Sequence, residues 1–180
     1  QCREVYPKND FGAYYRSDMT DSSLLTGPYA DAGRGWVGPN GIKYWMVAHA
    51  CHWHWQRTWL PAMTSLSQAY VLTGDQRYAH KAVVILDRIA EVYPGMDHAK
   101  QSRYGELMEG KYHGKIVNYI WETGVLGSVA VAYDMVFPAL IGENAISLDW
   151  RSSEKIRGNI EANLLEEGLE LEGLDQGGGL

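Results

Sequence analysis

The chain is short of phenylalanine, of cysteine and of basic residues near its C-terminal end. Only 2 of its 180 residues are Phe, against 7 Trp and 12 Tyr. Trp and Tyr carry a polar group that Phe lacks, so this bias suits half-wet faces that touch sugars or partners as well as ordinary cores. Cys2 and Cys51 are the only cysteines. Two cysteines make no disulfide framework, and nothing in their spacing says whether they pair. No Lys or Arg follows Arg157, while Glu161, Glu166, Glu167, Glu170, Glu172 and Asp175 do, and these acids account for the whole net charge of −6. A neutral body with an acidic tail lacks the basic footprint of a nucleic-acid binder. No apolar run is read as reaching transmembrane length, and no signal-peptide pattern is present. The first residue is Gln rather than Met, which leads us to expect a processed chain or a piece of a longer one.

What is there reads as helix pairs joined by turns. Residues 1–43 are loop-rich, punctuated by Pro7, Gly12, Gly27, Pro28, Gly33, Gly35, Gly38, Pro39 and Gly41. Such residues make turns rather than long elements, and no strand is expected. Helical spacing starts near Trp45 and runs through His49, His52 and Gln56; Pro61 then either kinks that helix or opens a second one. Gly74 is a helix stop and Asp75 an N-cap. The helix that follows places Tyr78, Ala82, Ile85, Leu86, Ile89 and Val92 on one face and Gln76, Arg77, Lys81, Asp87, Arg88 and Glu91 on the other. The stretch from Trp45 to Tyr93 is therefore expected to be an antiparallel helical hairpin. A third helix is expected from about Lys115 to Phe137, ended by Pro138. A fourth is expected from Trp150 to Leu171, capped by Asp149 or Ser152, with Ile156, Ile160 and Leu164 inward. The fold class expected is all-α, an incomplete (α/α) toroid of antiparallel hairpins. The loop-rich N-terminal segment 1–43 precedes the toroid part 44–171, and a flexible tail 172–180 follows.

Four segments carry a resemblance. They are Glu4-Val-Tyr-Pro-Lys-Asn-Asp-Phe-Gly-Ala-Tyr-Tyr, Tyr70-Val-Leu-Thr-Gly-Asp-Gln-Arg-Tyr-Ala-His-Lys-Ala, Leu86-Asp-Arg-Ile-Ala-Glu-Val-Tyr-Pro, and Gly114-Lys-Ile-Val-Asn-Tyr-Ile-Trp-Glu continuing to Ala132-Tyr-Asp. In order and spacing they resemble the N-terminal toroid region of heparinase II/III-like polysaccharide lyases, a group that includes alginate and glycosaminoglycan lyases. The resemblance implies a secreted or periplasmic enzyme that cleaves uronic-acid-containing polysaccharide by β-elimination, without an organic cofactor. In that family a C-terminal β-sandwich follows the toroid, and the catalytic Asn and His lie on a later toroid helix. The chain would then be an N-terminal fragment, inactive alone, with its catalytic residues beyond Leu180.

Two clusters offer chemistry. The first is His49, Cys51, His52, Trp53, His54, Trp55 and Gln56. On one helix His49, His52 and Gln56 share a face, and Trp55 and Trp59 lie on another. His52 and His54 are candidate carboxylate partners and Trp55 a candidate stacking platform; aromatic packing between hairpins is the plainer alternative. A zinc site is not expected, because neighbours on one helix diverge while zinc needs convergent ligands. The second cluster is His113, Asn118, Tyr119, Trp121 and Glu122, of which Asn118, Trp121 and Glu122 are candidate substrate contacts. Glu122 sits in an apolar stretch, as a substrate contact or as a buried partner for a cation such as Arg103 or Lys111. Cys2 alone cannot form the Cys-x-x-Cys pair that some relatives carry before the Tyr-Pro-Lys-Asn-Asp segment.

Three functions fit these readings: a lyase for acidic polysaccharide, an α/α-toroid hydrolase such as an unsaturated glucuronyl hydrolase, or a helical module that binds carbohydrate or protein without turning it over. The hydrolase needs paired carboxylates in a cleft, for which Asp97, Glu122 and Asp134 are available. Against a repeat-type binding module, the hairpins recur at no fixed period.

Overall fold

A computed structural model describes residues 34–38, 40–101, 114–117 and 119–169. These residues are mostly helical, and the chain divides into two compact units. Among the described residues, the first unit comprises 34–54 and 97–101, and the second 55–96 and 114–169.

The first unit begins with a short antiparallel pair, β1 (Trp36–Val37) and β2 (Lys43–Tyr44), in which Trp36 faces Tyr44 and Val37 faces Lys43. This corrects the expectation of no strand. The Gly and Pro signals mark the turn of the pair itself: the Gly38 N–H donates to Ile42 O at 2.8 Å, and Gly41 supplies a φ of 76°. Asn40 donates from Nδ2 to the Tyr44 hydroxyl and accepts the Ile42 N–H on Oδ1, which pins the turn onto a fully buried Tyr44. At Gly38 a Cβ would meet Asn40 Oδ1 at 2.8 Å, so a side chain there would have to displace the Asn40 amide that pins the turn. Helix α1 (Met46–His54) follows directly.

The second unit opens with a π-helical turn, Trp55–Trp59, and then α2 (Leu60–Thr73) with Pro61 in its first turn. Trp59 is itself helical, so Pro61 stands inside a continuous helical run, just after the π turn, rather than at a free helix start. The sequence reading of one hairpin from Trp45 to Tyr93 is thus narrowed. The hairpin is α2 with α3 (Gln76–Val92), and the residues before Trp55 belong to the other unit. Gly74 takes the left-handed conformation at φ 68° and donates to Tyr70 O, while Asp75 accepts the Arg77 N–H at 2.9 Å. Helices that pack together across a two-residue link run antiparallel.

The core stripe of α3 is Ala79, Ala82, Val83, Leu86, Ile89 and Ala90, rotated slightly from the face read in the sequence. Tyr78 is exposed, and Asp87, read as outward, is 1% exposed. The cause is α5 (Ser153–Ile160), which packs on α3 and, with the turn just ahead of it, supplies the donors to Asp87. Arg151 pairs with Asp87 through Nη1, Asn159 donates from Nδ2 at 2.8 Å, and the Trp150 indole N–H donates at 3.2 Å.

Helix α4 (Tyr119–Val136) packs on α2 and α3 and buries Val125, Leu126, Val129, Ala132, Tyr133 and Val136. It starts at Tyr119 rather than near Lys115. Pro138 lies in the 3₁₀ turn Phe137–Leu140 that ends it. From Trp121 to Leu140 this segment is long and apolar enough to cross a membrane, with mean hydropathy 1.4, which corrects the reading that no run reaches that length. Its apolar side packs in the core of the unit, and 44% of the segment is buried. The fourth helix begins at Ser153, with Ser152 at its N-cap and without a side-chain cap bond. It turns π-helical over Glu161–Glu166, where Leu164 is buried as expected. The Tyr133 hydroxyl donates to Glu161 at 2.6 Å and ties that turn to α4. Residues 1–33 and 39 of the loop-rich segment, residues 170–171 and the whole expected tail 172–180 lie outside the described residues.

Candidate functional site

Each unit gathers some of the residues that the sequence singles out. In the first unit, α1 carries His49 and His52 one turn apart. His52 is 3% exposed, and its Nε2 lies 3.1 Å from Gln101 Oε1. A carbonyl oxygen accepts, so that ring nitrogen carries the proton. The Trp53 indole N–H donates to His49 Nε2 at 3.0 Å, so that nitrogen of His49 is the acceptor. His98 completes the group. Its ring centroid is 5.4 Å from that of His52, edge-on, and 6.2 Å from that of His49. Burial and the neighbouring His52 push the His98 pKa down to about 4, against a smaller opposing pull from Asp97. His98 and Gln101 escaped the sequence reading: they fall in the polar interval after Pro94, and no spacing signal links them to α1.

The expected face of His49, His52 and Gln56 is broken at the π turn, which changes the helical spacing after His54. His54 is exposed, and Trp55 is half-buried against the apolar core of the second unit rather than displayed as a platform. Cys51 is a free, exposed thiol. Among the described residues, no group of three or more His, Cys, Asp or Glu side chains is placed to hold a metal ion.

In the second unit an open groove of about 510 Å³ lies between α2 and α4. Gln56, Leu60, Pro61, Thr64 and Ser65 line one side, and Trp121, Gly124, Val125 and Ser128 the other. Trp121 is 64% exposed, a large aromatic face displayed to solvent at the groove's edge. Among the described residues, the lining carries no ionisable side chain. Its surface is mostly apolar, from Leu60, Pro61, Val125 and the Trp121 indole, with the Gln56 amide and the Thr64, Ser65 and Ser128 hydroxyls among them, a set that suits a neutral ligand with an apolar face and a hydroxylated edge. Of the hydroxyls, Thr64 Oγ1 donates to Leu60 O and Ser128 Oγ to Gly124 O, each at 3.0 Å or less. Both oxygens retain lone pairs to accept from a ligand.

Glu122, next to Trp121, does not face this groove. Its carboxylate is 4% exposed and accepts the backbone N–H groups of Val117 at 2.9 Å and Ile116 at 3.1 Å. It fastens the chain just ahead of α4, where a negative group also suits the helix N-terminus. Burial pushes its pKa up, while bonds from Val117, Ile116 and Tyr93 pull the other way. Lys115 secures the same corner: its ammonium contacts Glu167 at 2.6 Å and Pro94 O at 2.9 Å, over the Tyr93 ring. Arg103 and Lys111, the cations suggested for Glu122, lie outside the described residues; what the structure adds is this backbone-capping role. Replacing Glu122 by Ala leaves two buried N–H groups without acceptors and is expected to cost about 2–4 kcal/mol in urea unfolding. A loss under about 0.5 kcal/mol would contradict the capping role.

Asn118, His113, Arg103 and Lys111 lie outside the described residues. Asp97, Glu122 and Asp134 do not line the groove, so no carboxylate pair stands there. A scan against protein-family models, a search of curated proteins and a search of solved structures each found no match.

Proposed function

We propose that the chain is the saccharide-holding part of a secreted or periplasmic polysaccharide lyase of the heparinase II/III-like type. On this reading its hairpins belong to an incomplete α/α toroid, and the α2–α4 groove seats a sugar ring of the acidic polymer against Trp121. The observation that carries the proposal is Trp121 itself, exposed beside a mostly apolar groove that also carries hydroxyls and an amide. A pyranose has a C–H face for the indole and hydroxyls around its edge for Gln56, Thr64, Ser65 and Ser128. The four sequence segments quoted above support the lyase class.

The neutral lining gives the groove a defined role. β-Elimination at a uronate removes the C5 proton to a base, forms the C4–C5 double bond and expels the O4 glycosidic oxygen, which takes up a proton. Charge developing at the uronate carboxyl must be neutralised by groups such as Asn, His or Arg. Those groups are absent from the described lining, so the groove acts on sugar units away from the bond that breaks. Binding energy gathered there positions the reacting unit elsewhere.

The test is to incubate the full-length protein with alginate, heparan sulfate and hyaluronan and to follow the ultraviolet absorbance of the unsaturated product. Absorbance rising on at least one polymer is the expected result, while residues 1–180 alone bind without turnover. Reducing ends released without absorbance would replace the lyase by a hydrolase. Binding with no product of either kind would leave a carbohydrate-binding module.

A further inference from the structure

The histidine cluster of the first unit plays no part in the groove. Three imidazoles from two separated stretches of chain meet there, His49 and His52 from α1 and His98 from the 97–101 turn. Their hydrogen bonds tie the two stretches together and leave one buried nitrogen of His98 unused. His49 Nε2 accepts from Trp53, and a proton added at that nitrogen would displace the indole N–H. His52 donates to Gln101 Oε1, which also accepts the Asp97 N–H at 3.4 Å. The Nδ1 of His98 is buried and has no hydrogen-bond partner among the described residues. A proton there would place a cation against two imidazoles with no acceptor for its new N–H.

We propose that His49, His52 and His98 form an acid-sensitive latch that holds the 97–101 turn against α1 while the His98 ring is neutral and releases it when that ring becomes charged. The charged and titratable groups around His98 among the described residues are His52 and His49 on α1, and Asp97 and Lys100 on its own turn. Asp97 favours the cation, but by less than burial and His52 oppose it; its carboxylate is shared with its own turn, Oδ1 accepting the Lys100 N–H at 2.9 Å and Oδ2 lying 3.6 Å from Lys100 Nζ. His52, whose ring centroid is 5.4 Å away, also opposes positive charge on His98.

The direction in pH follows from linkage. Burial and His52 hold His98 at about 4, below the 6.5 of a free histidine, so the unfolded or released turn binds more protons than the latched one. The latch is therefore at full strength above about pH 6.5 and weakens as pH falls from there toward 4.

Proton–carbon NMR of the histidine rings in the full chain, followed from pH 7.5 to 4 together with the Trp53 indole N–H and the Gln101 side-chain amide, tests this. The expected result is that His98 titrates at least one pH unit below 6.5 and that the Trp53 and Gln101 signals move with the same midpoint. His98→Gln, which cannot titrate, is expected to abolish that shared midpoint while keeping the helical circular dichroism of pH 7.5. His98 titrating near 6.5, Trp53 and Gln101 signals that do not move with it, or an unchanged transition in a folded His98→Gln variant would each overturn the latch. Should the variant fail to fold, the titration of the unaltered chain still decides.

Discussion

Replacing Asp87 by Ala is expected to destabilise the second unit by about 3–5 kcal/mol, the largest single effect in the molecule. Asp87 is 1% exposed and collects Arg151, Asn159 and Trp150, so its removal strands donors that α3 and α5 have enclosed. The size of the loss reflects that stranding rather than the net worth of the ion pair, because charges taken out of water forfeit much of what they regain. Two features pull the figure toward the lower end. Arg151 is 20% exposed, and its Nη2 already lies 3.9 Å from Glu91. Trp150 is largely exposed and can donate to water instead. Urea unfolding measures the loss as a fall in midpoint with an unchanged slope. An Asp87→Leu/Arg151→Met double variant is expected to recover much of it, since it removes charge and countercharge together. A single-variant loss below about 1 kcal/mol would mean that α5 is not fastened through Asp87.

Replacing Trp121 by Ala is expected to weaken saccharide binding by about 30-fold, or roughly 2 kcal/mol, while leaving the fold intact. Because the side chain is 64% exposed and displayed at a groove edge, truncation opens no core cavity, and stability should move by no more than about 0.5 kcal/mol. Gly124 allows a complementary variant. A Cβ there meets nothing within 4 Å, so Gly124→Leu fills the groove without straining the helix. It too is expected to lower affinity, by obstruction rather than by loss of stacking. Retained affinity in both variants, with the fold preserved, would remove the groove from the account and leave it as a face on which further helices pack.

The parts of the fold read correctly from sequence are those written in local signals. Gly74 and Asp75 specify the α2–α3 turn by backbone conformation and a side-chain cap, both properties of a few adjacent residues. The inward face of α4 was equally plain, because Val125, Val129, Ala132 and Val136 keep one spacing without interruption. Asp87 could not be read, since an acid on the rim of an apolar stripe reads as solvated unless one knows that Arg151 and Asn159 return to cover it. The start of α4 was misplaced for a related reason. Ile116 and Val117 fit the helical pattern, but their N–H groups are taken by Glu122, which stops the chain ahead of Tyr119. Of the candidate contacts, Trp121 is in the groove, whereas His52 and Trp55 are turned to other partners. The π turn at Trp55–Trp59 changes the helical spacing from Trp55 on, and no residue type in it announces that geometry.

The central claim is that the α2–α4 groove holds sugar. Titrating the isotopically labelled chain with a uronate oligosaccharide and mapping the backbone and indole NMR shifts tests it most directly. The account predicts that shifts concentrate on Gln56, Thr64, Ser65, Trp121, Gly124 and Ser128, leaving His52 and His98 unmoved. Shifts confined to the histidine cluster, or none anywhere at saturating oligosaccharide, would contradict it.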